Sequence, residues 1–360
     1  MGTSQAPQPV FGRSRTPDDA FLAKAAPEPA LEPELPIIDT HHHFWHRGEH
    51  RYFVEELARD IEASGANVVA TVIADCNAMY RADGPEHLRS VGETEFFVGM
   101  AAIGASGQYT RTRVGASIIA HADLTAGDRT RELLEAHVAA SGGRVTAVRH
   151  TAKWDADPVV RGNVGPGRAG LYLEPAFGKG LALAASMNLA FDASIYHPQI
   201  GEVTALAQAH PEATIVVIHS GSPVGYASYA GREAEVHASW LAGMKTLARC
   251  PNTFVKLGGL LMNLGNYDFT QAPAPITAAR LAQLWRPYIE PCIELFGARR
   301  CMVASNFPVD KAGFGYGTVW NMFKRITAGC SADEKREIYS GTARRVYCTE
   351  RPAHVKRETP

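Results

Sequence analysis

Short apolar runs recur along the chain, and longer amphipathic stretches separate them. The runs are rich in β-branched residues and bounded by glycine or polar residues, which is typical of buried strands. Eight segments are predicted as strands on this basis: 35–39, 67–74, 113–120, 145–150, 189–196, 214–219, 253–257 and 301–305.

The stretches between the runs carry apolar residues at helical spacing. Several of these stretches end in glycine, for example at Gly65 and Gly297, and glycine commonly ends a helix. Helices are predicted over 53–65, about 93–104, 129–143, 178–188, 200–210, 233–249, 276–297, 318–329 and 331–347.

Strand–helix alternation repeated eight times is typical of the α/β class and of a (β/α)8 TIM barrel. A doubly wound open sheet is the alternative, but the G-x-G-x-x-G sequence expected after its first strand is missing. We predict one barrel domain over 35–350, a flexible Pro/Ala-rich N-terminal arm over 1–34 and a C-terminal tail over 351–360. An arm that wraps over a neighbouring subunit is the less favoured alternative.

Charge and composition narrow the functional classes. The chain has 36 Lys and Arg against 37 Asp and Glu, which argues against a nucleic-acid partner. It has no apolar run long enough to span a membrane, and its six cysteines are scattered without a CxxC pair, which suits a reducing compartment. We therefore expect a cytoplasmic protein with a small-molecule substrate, and a homodimer as the commonest oligomer.

Active sites of barrels lie at the carboxyl ends of the strands, so polar residues there are the candidates for chemistry. The first predicted strand runs into Asp39, His41 and His43, which share one face because strand side chains alternate. Two imidazoles on one face can converge on a divalent ion such as zinc. A histidine-rich surface loop is the competing interpretation.

Other strands also end in polar side chains. The sixth ends at His219, the fourth at Arg149 and His150, and the fifth at Tyr196 and His197. His219 follows an apolar run and so belongs to the interior, either as a metal ligand with His41 and His43 or as a core histidine.

The last two strands add three further candidates. Lys256 near the end of the seventh strand is either a cation for a substrate or oxyanion, or one partner of an ion pair. Asn306 takes the end of the eighth strand, and an amide cannot accept a proton as a carboxylate does. Asp310, four residues on, is the candidate base, or a residue that pairs with Lys311 or caps a helix.

Substrate contacts are predicted from loop cations and aromatic residues. Cations at Arg81, Arg149 and Lys256 suggest an anionic or polyhydroxylated substrate, and rings at Trp45, Tyr196 and Trp154 suggest walls for a cyclic one. His150 and His197 complete the set of predicted substrate-binding residues.

The segments DTHHHFW, VRH, TIVVIHSGSP, NTFVKLGGL and CMVASNFPVDK occur in order, each at a strand end. Together they resemble the amidohydrolase-related family of the amidohydrolase superfamily, over about residues 36–348. The resemblance implies a distorted barrel and a hydrolase that opens a lactone or a related ester or amide. It also implies catalytic and metal-binding roles for His41, His43 and His219, with a divalent metal such as zinc that some members do not need.

One departure bears on the mechanism. The superfamily's eighth strand usually carries an Asp that helps bind metal and moves the proton of the attacking water, whereas this chain has Asn306. Asp310 or a histidine would then take over the proton transfer. The hypothesis is a lactonase; the alternatives are a metal-dependent non-oxidative decarboxylase of an aromatic or muconate-type acid and a non-catalytic binding protein.

Overall fold

Eight parallel strands form the centre of the computed structural model, which describes residues 11–161 and 167–347. Each strand pairs with the next one along the chain, in the order of a barrel. The strands are β1 (Ile37–His42), β4 (Val68–Ala74), β5 (Arg113–His121), β6 (Val145–Thr151), β7 (Ala190–Ser194), β8 (Ile215–Val217), β9 (Thr253–Leu257) and β10 (Cys301–Val303). They confirm the predicted TIM barrel. A hairpin of β2 (Trp45–Arg47) and β3 (His50–Tyr52), which the pattern did not predict, follows β1.

Helices follow the strands along the chain, and each predicted helical segment contains helix. The longer helices are α2 (Val54–Ser64), α3 (Val91–Ala105), α4 (Asp128–Ala140), α6 (Pro175–Ser186), α7 (Ile200–Ala209), α8 (Glu233–Leu247), α10 (Ala278–Phe296) and α11 (Tyr316–Ile326). The shorter ones are α1 (Asp19–Leu22), α5 (Pro158–Arg161), α9 (Leu261–Leu264), α12 (Ala332–Arg336) and α13 (Thr342–Tyr347). None of the helices in the described ranges is long and apolar enough to cross a membrane.

Helix α2 shows how the sequence sets these elements. Val54, Leu57 and Ile61 are buried at helical spacing, so one face of the helix packs on the core. Glu56 accepts a hydrogen bond from the backbone N–H of Phe53 at 2.8 Å, which satisfies a donor at the helix start. Gly65 ends the helix with φ +61°, a left-handed conformation that glycine adopts without strain.

The junction between β1 and β10, called the seam here, closes the barrel with few backbone contacts. One bridge joins His42 to Phe307. The buried carboxylate of Asp39 adds side-chain bonds: it accepts from the Ser305 N–H at 2.9 Å, the Ser305 hydroxyl at 2.6 Å and the Tyr316 hydroxyl at 2.9 Å. The Asp39 carboxylate thus adds side-chain bonds to the short backbone pairing at the seam.

The predicted N-terminal arm contacts the barrel from residue 11 onwards. Leu31 N–H donates to Asn321 Oδ1 at 2.8 Å, and Glu28 pairs with Arg325 at 2.6 Å. Each of these bonds joins two residues that are nearly 300 positions apart in the sequence, so composition alone could not reveal them. Residues 1–10 of the arm and the predicted tail 351–360 lie outside the described residues.

Candidate active site

A cavity of about 240 Å³ lies at the carboxyl ends of the barrel strands, and it is called the central cavity here. Side chains from β6, the hairpin and the loops after β1, β4 and β8 line it, together with residues 12–14 of the N-terminal segment. This is the face where barrel enzymes carry their active sites.

The structure brings His41, His43 and His219 together, as predicted from the strand ends. The ring centroids of His41 and His43 are 4.9 Å apart, and those of His41 and His219 are 4.7 Å apart. All three residues are buried, and His43 and His219 line the central cavity. His42, on the other face of β1, instead bonds to Thr71 at 2.9 Å.

The hydrogen bond of His43 decides which of its nitrogens carries the proton. Its Nδ1 lies 2.9 Å from the carbonyl oxygen of Ala74. A carbonyl only accepts, so Nδ1 is the protonated nitrogen and Nε2 keeps its lone pair. His43 therefore presents one proton-accepting nitrogen at the cavity.

His41 is bonded differently, because a cation lies beside it. Arg149 Nη1 is 3.4 Å from His41 Nε2, and a guanidinium can only donate. Arg149 is held in turn by Asp75, with 2.7 Å between Nε and Oδ1 and a second bond to the Asp75 carbonyl. The lone pair of His41 Nε2 thus faces a fixed positive charge.

His219 follows β8 on a strained backbone. His219, Ser220 and Ser222 have φ values of +52°, +50° and +46°, in a region that costs non-glycine residues about 1–3 kcal/mol each. Its ring packs against Gly259, where a Cβ would lie only 1.9 Å from Nδ1. The glycine and the strained turn together position the imidazole at the cavity.

Burial and nearby cations keep these imidazoles neutral. Desolvation holds the pKa of His41, His43 and His219 well below the ordinary value. The positive charges of Arg149, for His43, and Lys153, for His219, add to this effect on the pKa. All three side chains are therefore available as uncharged hydrogen-bond acceptors at neutral pH.

Asn306 lines the central cavity, and Asp310 lies behind it. Asn306 Nδ2 donates to Asp310 Oδ1 at 2.9 Å, and Asp310 is fully buried without lining the cavity. Burial raises the pKa of Asp310 to about 8. Asp310 is therefore mostly protonated at neutral pH, which does not suit the predicted role of a base for water.

Replacing Asp310 with asparagine tests whether this carboxyl is protonated in the folded protein, because its protonation makes the free energy of unfolding depend on pH. A carboxyl whose pKa rises from 3.8 to about 8 on folding stabilises the protein fully at low pH. That contribution is lost as pH rises through 8, at up to about 1.4 kcal/mol per pH unit. Asp310→Asn should remove this slope in urea unfolding between pH 5 and 8. Glu93→Gln is the matched comparison, because burial also raises the pKa of Glu93 to about 8; an unchanged slope in Asp310→Asn would contradict the assignment.

Lys256 lies in the barrel interior and does not line the central cavity. Its Nζ is 2.7 Å from Asp192 Oδ2, and both side chains are fully buried. Asp192 also accepts from the Tyr347 hydroxyl at 2.7 Å. Of the two predicted roles, the geometry supports an ion pair, because the ammonium is already neutralised by a carboxylate.

Besides Lys256, four predicted substrate-binding residues do not line the cavity. Arg81 lies on the surface and pairs with Glu95. Trp154 is half-buried outside the cavity, although its neighbour Lys153 lines it. His150 and His197 are buried outside the cavity lining, and their Nδ1 atoms accept from the backbone N–H groups of Leu124 and Val224, respectively. Tyr196 and Trp45 do line it.

The site also contains charged residues that sequence reasoning missed. Asp75, Arg47 and Lys153 all line the cavity. Asp75 directly follows β4, and Lys153 lies two residues after β6. The expectation that polar residues at strand ends belong to the active site, called the strand-end rule here, would have found both if it had been applied to every strand. Lys153 forms no ion pair with a described carboxylate, and burial with the nearby Arg149 lowers its pKa to about 8.

These residues do not fit a divalent cation. Among the described residues, no group of three or more His, Cys, Asp and Glu side chains is arranged to hold a metal ion. Arg149 Nη1 lies 3.4 Å from His41 Nε2, and Asn306 stands where the family that the sequence resembles usually has an Asp. The described cavity lining carries four cations, Arg13, Arg47, Arg149 and Lys153, against one carboxylate, Asp75.

Imidazoles and cations gathered at the strand ends of a TIM barrel lie where enzymes of this fold carry their active sites. The family model described as amidohydrolase matches residues 38–348, which extend from β1 past α13. The chain belongs to the amidohydrolase family. The resemblance seen in its strand-end segments is thereby confirmed.

Individual relatives are more distant. The uncharacterized protein y4mH of Sinorhizobium fredii is 34% identical over 173 residues, 48% of this chain and 52% of that protein. An L-fucono-1,5-lactonase of Burkholderia multivorans is 25% identical over 181 residues, 50% of this chain and 58% of that protein. The chain thus spans about half the length of the curated relatives it matches.

Solved structures support the fold. A crystal structure of an amidohydrolase from Burkholderia multivorans with bound zinc has a TM-score of 0.66 and 23% identity. The match covers 87% of this chain and 99% of that one. At this identity the likeness establishes the shared barrel.

Proposed function

We propose that the protein hydrolyses a lactone that carries negative charge, using an imidazole and lysine or arginine side chains in place of a metal ion. The observation that carries this proposal is the neutral His43, whose Nε2 keeps its lone pair and which lines a cavity with four cations against one carboxylate. Membership of the amidohydrolase family and the likeness to an L-fucono-1,5-lactonase support hydrolysis of a cyclic ester.

The proton transfers follow from the bonding of His43. A water molecule attacks the ring carbonyl while Nε2 of His43 takes its proton. The Ala74 carbonyl, 2.9 Å from Nδ1, stabilises the imidazolium that forms. The C–O bond of the ring then breaks, and His43 returns the proton to the departing oxygen, giving an open hydroxy acid.

The cations stabilise the negative charge that develops on the carbonyl oxygen. Lys153 is the best placed, because it lines the cavity and no described carboxylate neutralises it. Arg149 is fixed by Asp75 and adds a second positive charge at the cavity. His219 and Asn306, which also line the cavity, contribute polar groups that can orient the attacking water.

Chelation distinguishes this mechanism from a metal-dependent one. Purified protein should open carboxylated lactones, and the reaction is measured as the release of acid in weakly buffered solution. The protein should keep that activity after treatment with EDTA. Added zinc should not raise the rate, because the cavity already carries excess positive charge. Activity lost on chelation and restored by zinc or manganese would overturn the metal-free mechanism, while carbon dioxide release from an aromatic acid without lactone opening would support the decarboxylase alternative.

A further inference from the structure

Part of the wall of the central cavity comes from outside the barrel. Gly12, Arg13 and Ser14 of the N-terminal segment line the cavity. Gly12 N–H donates to the carbonyl oxygen of Met262 at 2.8 Å, in the short helix α9 that follows β9. The cavity of about 240 Å³ is smaller than the pockets of drug-sized ligands, which are about 300–1,000 Å³. A segment that precedes the first strand therefore helps to enclose a space suited to a small ligand.

A small apolar cluster, called the anchor cluster here, holds this segment in place. It consists of Val160, Tyr196, Val224 and Tyr226, and it is separate from the barrel core. Phe11 packs against the cluster, with 5.9 Å between its ring centroid and that of Tyr226. Tyr196 also lines the cavity. The segment is thus fixed to a group of side chains that itself forms part of the cavity wall.

The anchor cluster offers Phe11 a fixed surface, because its two tyrosines are bonded to one carbonyl group. The hydroxyls of Tyr196 and Tyr226 donate to the carbonyl oxygen of Val160 at 2.8 Å and 3.3 Å. The next residue, Gly12, has φ +79°, and a Cβ there would lie 2.3 Å from the Tyr226 hydroxyl oxygen. A side chain at position 12 would therefore push the segment away from the cluster.

The same arm is also tied to the barrel further along the chain. Glu28 pairs with Arg325, and the N–H of Leu31 donates to Asn321 of α11. These bonds do not depend on the anchor cluster. Loss of the Phe11 contact should therefore release residues 11–14 from the cavity and leave the rest of the arm and the barrel folded.

We propose that Phe11 is a positioning residue for substrate specificity, because it anchors segment 11–14 as a wall that limits the size of the substrate in the central cavity. Phe11 does not line the cavity itself and acts through the three residues that follow it. The inference rests on the proposed lactone hydrolysis for the class of substrate. The position of the wall can be measured without any reaction.

The kinetic test compares Phe11→Ala with wild type on two carboxylated lactones: paraconate, a five-membered ring, and phenylparaconate, the same ring with a phenyl group. Removing the anchor widens the cavity, so the ratio of kcat/KM for phenylparaconate to that for paraconate should rise about tenfold. Phe11→Leu keeps an apolar anchor and should restore most of the wild-type ratio. Phe21→Ala is the matched control and should keep that ratio, since Phe21 is a half-buried phenylalanine of the same arm outside the anchor cluster.

Limited proteolysis locates the segment without a substrate. Trypsin cleaves after arginine, and Arg13 and Arg15 lie at this segment. Cleavage requires the chain to open locally, so its rate should rise about tenfold in Phe11→Ala and in Gly12→Ala. The rate should stay at the wild-type value in Phe21→Ala.

Two results would overturn the role of Phe11. An unchanged cleavage rate in Phe11→Ala would show that Phe11 does not hold the segment. Faster cleavage with an unchanged ratio of kcat/KM would show that the segment does not limit the size of the substrate. If no protein opens either lactone, the proposed hydrolysis fails, and the two lactones then serve as ligands in calorimetry. The same change in the ratio of their dissociation constants would still support the wall, and its absence would overturn both proposals.

Discussion

Alanine in place of His43 is expected to lower kcat/KM for lactone hydrolysis by about 10²- to 10⁴-fold, the usual contribution of a positioned general base. The loss should appear mainly in kcat, because the imidazole accepts a proton during the reaction and its removal leaves the cations of the cavity in place. Added imidazole should restore part of the rate, since the truncated side chain leaves room beside the cavity for a free base.

His46→Ala is the matched control for this variant. His46 lies three residues further along the same segment, and it is exposed on the hairpin outside the cavity. It should keep wild-type kcat/KM. Circular dichroism confirms that the His43→Ala variant is folded. If the folded variant then turns over the same lactone at the wild-type rate, the assignment of His43 as the base is contradicted.

Replacing Lys256 with methionine is expected to destabilise the protein by about 3–5 kcal/mol in urea unfolding. Removing one partner of a buried ion pair leaves the other charge in a medium that cannot solvate it. Here the remaining charge is Asp192, which is fully buried and lies 2.7 Å from the ammonium that would be lost. The bond from the Tyr347 hydroxyl compensates for only part of it.

The double variant Lys256→Met with Asp192→Asn identifies the cause. Asparagine removes the charge but can still accept from the hydroxyl of Tyr347, so much of the lost stability should return. An exposed pair provides the control: Arg336→Met, which breaks the surface pair with Asp333, should cost about 0–1 kcal/mol. Equal losses from Lys256→Met and from the double variant would show that packing, rather than the uncompensated charge, sets the effect.

The strands and helices could be predicted from the sequence because hydrophobic periodicity is local. All eight barrel strands follow from short β-branched runs, and the barrel follows from their alternation with helices. The hairpin of β2 and β3 was not predicted, because Trp45–Tyr52 is rich in histidine and arginine and lacks an apolar alternation. The contacts of segment 11–34 could not be predicted for a different reason: they join residues nearly 300 positions apart.

The site could be predicted as far as the strand-end rule extends. It placed His41, His43 and His219 together, because parallel strands end at one face of the barrel. It could not show that Arg149 turns towards His41, since that orientation depends on Asp75 from another strand. It also could not show that Asp310 points into the interior: the chain turns through a short helix at Asp310–Ala312, which places that side chain behind Asn306.

The seam between β1 and β10 has a consequence for how the activity of this barrel can change during evolution. His43 follows β1 and Asn306 follows β10, so the two sides of the seam each carry a residue of the cavity wall. The Asp39 carboxylate holds these sides together from beneath the cavity, through Ser305. A substitution at Asp39 or Ser305 therefore alters the spacing of cavity groups without changing any of them. Substitutions at these two buried positions can thus change the substrate range of the enzyme.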